Sequence, residues 1–535
     1  MNTETSHLTR RQFLGALGAG AAAVAGGGLL AACGSTASSA PGSGTSPTSA
    51  LAGTPKRGGT LQVGLSGGSS SDTLNALNPL QSTDFARTLS LFEQLTIYGP
   101  TGALQYLLAE QITPNATATQ WTIHLRPGVT WHDGKDLTAD DVIYTFQRIT
   151  DPKSPTGGAP LLQRVDVAGM KKLDAHTVLV PCHAPYSTFP EAIAGWYFNI
   201  VPQGYDPSHP PAHPVGTGPF KFKSFTPGVQ SVFVRNENYW QSPYPYLDTL
   251  VLSDYGDESS QVNALLSGSV DVIDLLSAAS IATIANGGKK TLISNTSGFT
   301  PLYMRCDQPP FDDVRVRQAM RLCCDRPEML KLVFAGHGSL GNDIYDYADP
   351  AYDHSIPQRH QDIEQAKYLL KQAGKENLEV TLTTAPIAQG TVQQATVFAQ
   401  QAGLAGAKIH LDLTTPAVEF GPQYAKFTFA QDYVIYATYL TQIALSGLPT
   451  SPFPETHFSE PAYTALYNQA LATVDQGKRY EIEHEMQRID WERGGNIIPY
   501  FYPTIDGYAG HVNGLHTSVT GWPLGGFDFK AMWVS

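Results

Sequence analysis

Residues 121–152, WTIHLRPGVTWHDGKDLTADDVIYTFQRITDP, constrain the fold more than any other stretch of this chain. Trp121, Ile123 and Leu125 alternate with Thr122, His124 and Arg126, the period of a strand with one buried face. Pro127 and Gly128 then predict a turn, because proline presets its own φ and glycine accepts a positive φ at the next position. Val129 and Trp131 suit a second short strand, closed by a turn at His132, Asp133 and Gly134. Thr138 with Asp141 three residues later predicts a capping box at the start of a helix. Asp140 and Asp141 fall at the positive end of that helix and Arg148 at its negative end. Val142, Ile143, Phe146 and Ile149 recur at helical spacing, and Asp151-Pro152 stops the run. The stretch is scaffold, and local physics assigns it no chemistry.

The order of these residues says more. LRPGV, then W-H-DG, then LTA-x-DV, residues 125–142 here, resemble the signature segment of family 5 extracellular solute-binding proteins, the peptide and nickel receptors of ABC importers. Val215-Gly216-Thr217-Gly218-Pro219-Phe220 resembles the GTGPY turn and strand of that family, two glycines and a proline setting a tight path. Pro309-Pro310-Phe311-Asp312-Asp313-Val314-Arg315 is a second strong match, an acidic cap opening a helix, and Asp325 caps the next one. Leu77-Asn78-Pro79 resembles the family's LDP segment, a loop and helix lining the cleft, with Asn78 where aspartate is usual. A helix is expected over residues 90–95. Residues 378–383 and 407–413 alternate with period two around Val392, Ala395, Phe398 and Ala399 at helical spacing, which reads as a βαβ unit with parallel strands.

The resemblance implies a mixed α/β, two-lobed, periplasmic-binding-protein-like fold with a peripheral subdomain and a ligand cleft between the lobes. The boundaries expected are 56–301 for the first lobe, with its peripheral part at about 85–210, 302–497 for the second, and 498–535 for the return of the chain.

The N-terminus reads as an address, not as fold. Thr9-Arg10-Arg11-Gln12-Phe13-Leu14 looks like a twin-arginine signal, followed by an uncharged Ala/Gly-rich run and Leu30-Ala31-Ala32-Cys33, which looks like a lipobox. Residues 1–32 are then a signal peptide, and Cys33 becomes the lipidated first residue. Residues 33–55 are a Ser/Thr/Pro/Gly tether. A protein so made is expected to be extracytoplasmic, anchored by lipid to the outer face of the bacterial cytoplasmic membrane. A permanent anchor helix over residues 13–32 is the competing reading.

The formal net charge of −13 opposes a nucleic-acid partner, which would need a basic face. Gly64-Leu65-Ser66-Gly67-Gly68 matches a nucleophile elbow, but Ser69-Ser70-Ser71-Asp72 follows where a helix would have to begin. A Gly/Ser loop is therefore expected, not a serine hydrolase. His209 and His213, and the pair Cys182-His183, lack a carboxylate partner at ligand spacing, so no metal and no cofactor are expected. Cys182, Cys306, Cys323 and Cys324 read as free thiols, with one bridge from Cys306 the alternative.

In the peptide receptors that the chain resembles, a Trp and an Asp of one second-lobe segment face the ligand, the Asp taking the peptide's α-amine. The matching residues 432–445, DYVIYATYLTQIAL, place Thr438 and Thr441 at those positions, and no Asp or Glu lies between Tyr433 and Pro454. A buried ammonium without a counter-charge is costly. Further contacts are open to Asn78, to Tyr436, Tyr439 and Trp196, for which core packing is the default, and to Arg305, whose guanidinium suits a ligand carboxylate or equally an ion pair with Asp307. The expected function is capture of an oligopeptide or peptide-like solute, handed to an ABC permease with its cytoplasmic ATPase by a monomeric receptor. A metal-chelate or other non-peptide solute is the alternative.

Overall fold

The computed structural model describes residues 54–79 and 81–535. The twin-arginine stretch, Cys33 and nearly all of the tether lie outside the described residues. No helix among the described residues is long and apolar enough to cross a membrane.

Three sheets organise the chain. The first runs, in spatial order, Lys290–Phe299, Tyr500–Tyr508, Val272–Ile273, Thr60–Ser66, Thr249–Tyr255, Gln230–Arg235 and Phe220–Thr226. Thr60–Ser66 is its centre, parallel to both neighbours, and Leu61, Val63 and Leu65 are buried as their alternation predicts. The second sheet runs Lys408–Leu413, Glu379–Thr384, Phe429–Gln431, Leu302–Met304 and Asn496–Ile497. Glu379–Thr384 and Lys408–Leu413 are parallel, with the helix Thr391–Gly403 crossing between them. The chain leaves the first sheet at Phe299, joins the second at Leu302, and comes back between Ile497 and Tyr500.

The third sheet, Ala109–Pro114, Gln120–Leu125, Thr177–Pro181 and Lys171–Asp174, contains the segment with the strongest sequence pattern. Trp121, Ile123 and Leu125 are buried, and the helix Ala139–Ile149 starts at the Thr138 and Asp141 capping box. The second short strand expected at Val129 and Trp131 does not form. Only an isolated bridge joins Thr130 to Asp136, because Trp131 N–H and Leu137 N–H bond across their own loop. The helix expected over residues 90–95 lies earlier, at Ser82–Leu91, where Gln81 and Asp84 cap it.

His132 joins two of the sequence motifs in space, residues 125–142 and the turn at 215–220. Its backbone N–H donates to Gly216 O (2.8 Å). Its Nδ1 accepts from Gly216 N–H (3.1 Å). Its Nε2 lies 3.0 Å from Gly218 O, so the Nε2–H tautomer satisfies both bonds. Burial pushes the imidazole pKa down to about 4. Unfolded, the group titrates near its ordinary 6.5, so between the two values the unfolded chain binds the extra proton. Stability is therefore full above pH 6.5 and falls as pH drops toward 4, by roughly 2–3 kcal/mol at pH 4.5. Urea unfolding at pH 7.5 and 4.5 is expected to show a larger acid loss for the wild type than for His132→Gln. Equal losses would remove His132 as the source.

Candidate functional site

Aromatic residues from separate segments meet around a cavity of about 410 Å³ between the sheets. Phe85, on Ser82–Leu91, lies 4.2 Å from Trp196 and 4.7 Å from Trp522, centroid to centroid, and Trp522 lies 5.9 Å from Phe527. These rings form one apolar wall. Tyr98 and Tyr436 meet edge to face at 5.0 Å on another, and the Tyr436 hydroxyl donates to Gly102 O (2.9 Å).

The backbone of residues 432–445 is held from behind. Val434 exchanges two hydrogen bonds with Phe299 (2.9 and 2.8 Å), on the strand that leads into the second sheet. Asp346 Oδ1 accepts Ala437 N–H (3.3 Å) and Asp349 Oδ2 accepts Tyr439 N–H (2.5 Å), so two buried carboxylates fix the start of the short helix Tyr439–Gln442. A π-helical turn, Ile443–Gly447, follows.

Of the residues expected to contact a solute, Trp196, Tyr436 and Thr441 line the cavity. Thr438 stands just off the wall, 2.9 Å from Thr441 Oγ1 and 3.4 Å from the Tyr98 hydroxyl. Tyr439 points into the core instead: it is fully buried, and its hydroxyl donates to Asp490 Oδ2 (2.6 Å) beside Tyr463. Arg305 is likewise outside the wall, its guanidinium forked onto Asp307 (2.7 Å twice) with a third bond to Ala425 O. Asn78 is half-buried in the loop before Ser82–Leu91 and does not reach the cavity.

The wall also contains residues that the sequence pattern did not single out. Glu93 is buried, accepting from the Tyr239 hydroxyl (2.7 Å) and Trp240 Nε1 (3.0 Å), and burial pushes its carboxyl up. Burial likewise raises Glu191, against the opposing pull of Arg479. Asp528 pairs with His516 Nε2 at 3.2 Å, and that bond raises the imidazole pKa. Lys530 Nζ donates to Gln241 Oε1 (2.9 Å). Glu455 lies just beyond the stretch in which no carboxylate was found. None of these stands in a local motif. The one available cue is the aromatic density near Trp196 and Trp522.

The elbow at Ser66 does not form. Its N–H donates to Asp274 Oδ1 (2.7 Å), and among the described residues no helix starts between Ser66 and Ser82. Cys182, Cys306, Cys323 and Cys324 are all free thiols, with Cys323 and Cys324 buried and their pKa pushed by that burial to about 12. His209 is exposed beside Asp206 (3.1 Å), and His213 stacks edge-on against Phe222. Among the described residues, no group of three or more His, Cys, Asp or Glu is placed to hold a metal ion.

Residues 103–462 match the model of the bacterial extracellular solute-binding proteins, family 5, middle region. The chain is 29% identical to the heme-binding protein A of Haemophilus influenzae over 295 residues, which is 50% of this chain and 54% of that relative. It is 27% identical to the di/tripeptide-binding protein 1 of Pseudomonas aeruginosa over 79% of this chain and 85% of the relative. Among solved structures, the PBP AgaA in complex with agropinic acid, from A. tumefaciens R10, superposes with a TM-score of 0.76 at 25% identity, covering 89% of this chain and 99% of that one. The mixed α/β architecture is thus of the periplasmic-binding-protein kind.

Proposed function

Because the chain belongs to the family 5 bacterial extracellular solute-binding proteins, we propose that it captures a small organic solute, of peptide or peptide-like kind, for the permease of an ABC importer. The observation that carries this reading is the composition of the cavity wall. Phe85, Trp196 and Trp522 face it from one side, and Tyr436, Thr441 and Gln442 from the segment attached to the second sheet. A solute held there touches both lobes at once only when they are closed, so its binding favours closure. The permease then meets the closed pair of lobe surfaces. The relatives' names point to peptide as the commonest cargo type. The lack of a carboxylate over residues 434–453 favours a second reading, a non-peptide organic solute. The N-terminal pattern makes the receptor a lipoprotein held by Cys33 at the outer face of the cytoplasmic membrane.

Calorimetry and small-angle scattering of the purified protein against panels of peptides, sugars and metal chelates test the proposal. A saturable heat with a smaller radius of gyration is the expected result for at least one panel. Neither heat nor compaction with any of them would refute a closing receptor. In fractionated cells, Cys33→Ser is expected to move the protein out of the membrane fraction.

A further inference from the structure

The charged groups on the cavity wall do not balance. Glu93, Glu191, Glu455 and Asp528 face Lys530 and His516, and His516 is already taken by Asp528. The excess deepens at the end near Tyr98 and Tyr436. There Glu191, on the short helix Phe189–Ala192, lies 3.4 Å from Arg479, on the long helix Gln476–Arg493. Arg479 also serves Glu483 at 3.4 Å. Asp349 joins them, its carboxylate accepting Ala351 N–H (2.8 Å) and Tyr439 N–H (2.5 Å). Asp346 is fully buried behind Ala437, and its second oxygen has no hydrogen-bond partner. Glu191, Asp349 and Glu483 thus share one guanidinium, with Asp346 buried beside Asp349 and the phenols of Tyr98, Tyr436 and Tyr480 near them, and of these carboxyls Glu191 is the one on the cavity wall. Burial raises all four, opposed by Arg479 at Glu191, Asp349 and Glu483.

Carboxylates removed from water without enough counter-charge are unfavourable, and a cation brought to them is correspondingly well held. We propose that the solute carries a cationic group, an ammonium or guanidinium, that enters this end of the cavity beside Glu191, while its apolar body lies on the rings of Phe85, Trp196 and Trp522. The counter-charge comes from the side of the third sheet, in place of the carboxylate missing from residues 434–453. Aromatic faces assist, since they attract cations through the ring quadrupole. This inference rests on the receptor reading above.

The test uses three pools of matched phenylalanine-containing tripeptides and simple arylalkyl compounds. One pool bears an ammonium or guanidinium, one is N-acetylated and neutral, and one bears a carboxylate as its only charge. Titration by calorimetry is expected to give saturable binding for the cationic pool and at least tenfold weaker binding for the others. Glu191→Gln is expected to weaken the cationic interaction at least tenfold, and Glu191→Asp to restore part of it. Ligand-free thermal unfolding of both variants checks that they fold. Equal or tighter binding of the neutral or anionic pool, or an unchanged Glu191→Gln, overturns the inference and leaves the receptor standing. Binding by no pool overturns the inference, and the receptor reading falls with it only if the sugar and metal-chelate panels also give neither heat nor compaction.

Discussion

Replacing Asp343 by alanine is expected to cost about 3–5 kcal/mol of stability, because it leaves buried cations uncompensated. The Asp343 carboxylate accepts two bonds from Arg326 (2.7 Å each) and one from Arg359 (2.9 Å), with Arg321 4.0 Å away. It also accepts Ile498 N–H (2.9 Å), where the chain turns back toward the first sheet. Burial alone would raise this carboxyl, yet the three guanidiniums hold it below the usual carboxylate range. Without it, Arg326, Arg359 and one backbone N–H lose an acceptor together, and Arg321 loses its nearest counter-charge. Asp343 also has a left-handed backbone (φ 61°), which asparagine tolerates better than alanine. Asp343→Asn therefore isolates the charge, and Asp343→Ala adds backbone strain. Urea unfolding should rank wild type above Asn and Asn above Ala. A loss below about 1 kcal/mol for alanine would show that the arginines are otherwise satisfied.

Gly216→Ala is expected to be nearly as damaging, at about 3 kcal/mol or more, and to reduce solute affinity at the same time. A Cβ at Gly216 would stand 1.8 Å from Leu91 O, and one at Gly218 2.6 Å from Leu91 C. These neighbours are backbone at the end of Ser82–Leu91, so no side chain can swing aside. Gly218 N–H donates to Leu91 O (2.9 Å), which pins the two segments together. Phe85, two turns earlier on that helix, is part of the aromatic wall. Displacing the helix end therefore reaches the cavity. Thermal unfolding combined with calorimetry on the variant checks both effects. Unchanged stability would mean that the loop over residues 215–219 yields freely.

The period-two alternation of residues 121–125, the Thr138 and Asp141 capping box, and the parallel strands around Thr391–Gly403 were all legible in the sequence. Each is decided by residues a few positions apart, and the same local rules operate wherever the chain lies. The glycines at 216 and 218 could be marked as special, but not why: their reason is Leu91, more than a hundred residues earlier. Tyr439 shows the limit more sharply. Its sequence position left it open to solute contact, like Tyr436, or to core packing, and the short helix Tyr439–Gln442 turns its hydroxyl toward Asp490 in the core. Arg305 shows it again, since a guanidinium free for a ligand and one forked onto Asp307 look alike in sequence.

What the sequence by itself determined was the family, the class of fold and most of the elements, because these follow from short-range pattern. Only the tertiary structure decided the character of the cavity. Glu93, Glu191, Asp349, Glu455 and Arg479 come from distant parts of the chain, and none is remarkable where it stands. Folding brings Glu191, Asp349 and Arg479 together and takes Glu93 and Glu455 out of water elsewhere, and the cost of burying a carboxylate depends on its neighbours in space rather than in sequence.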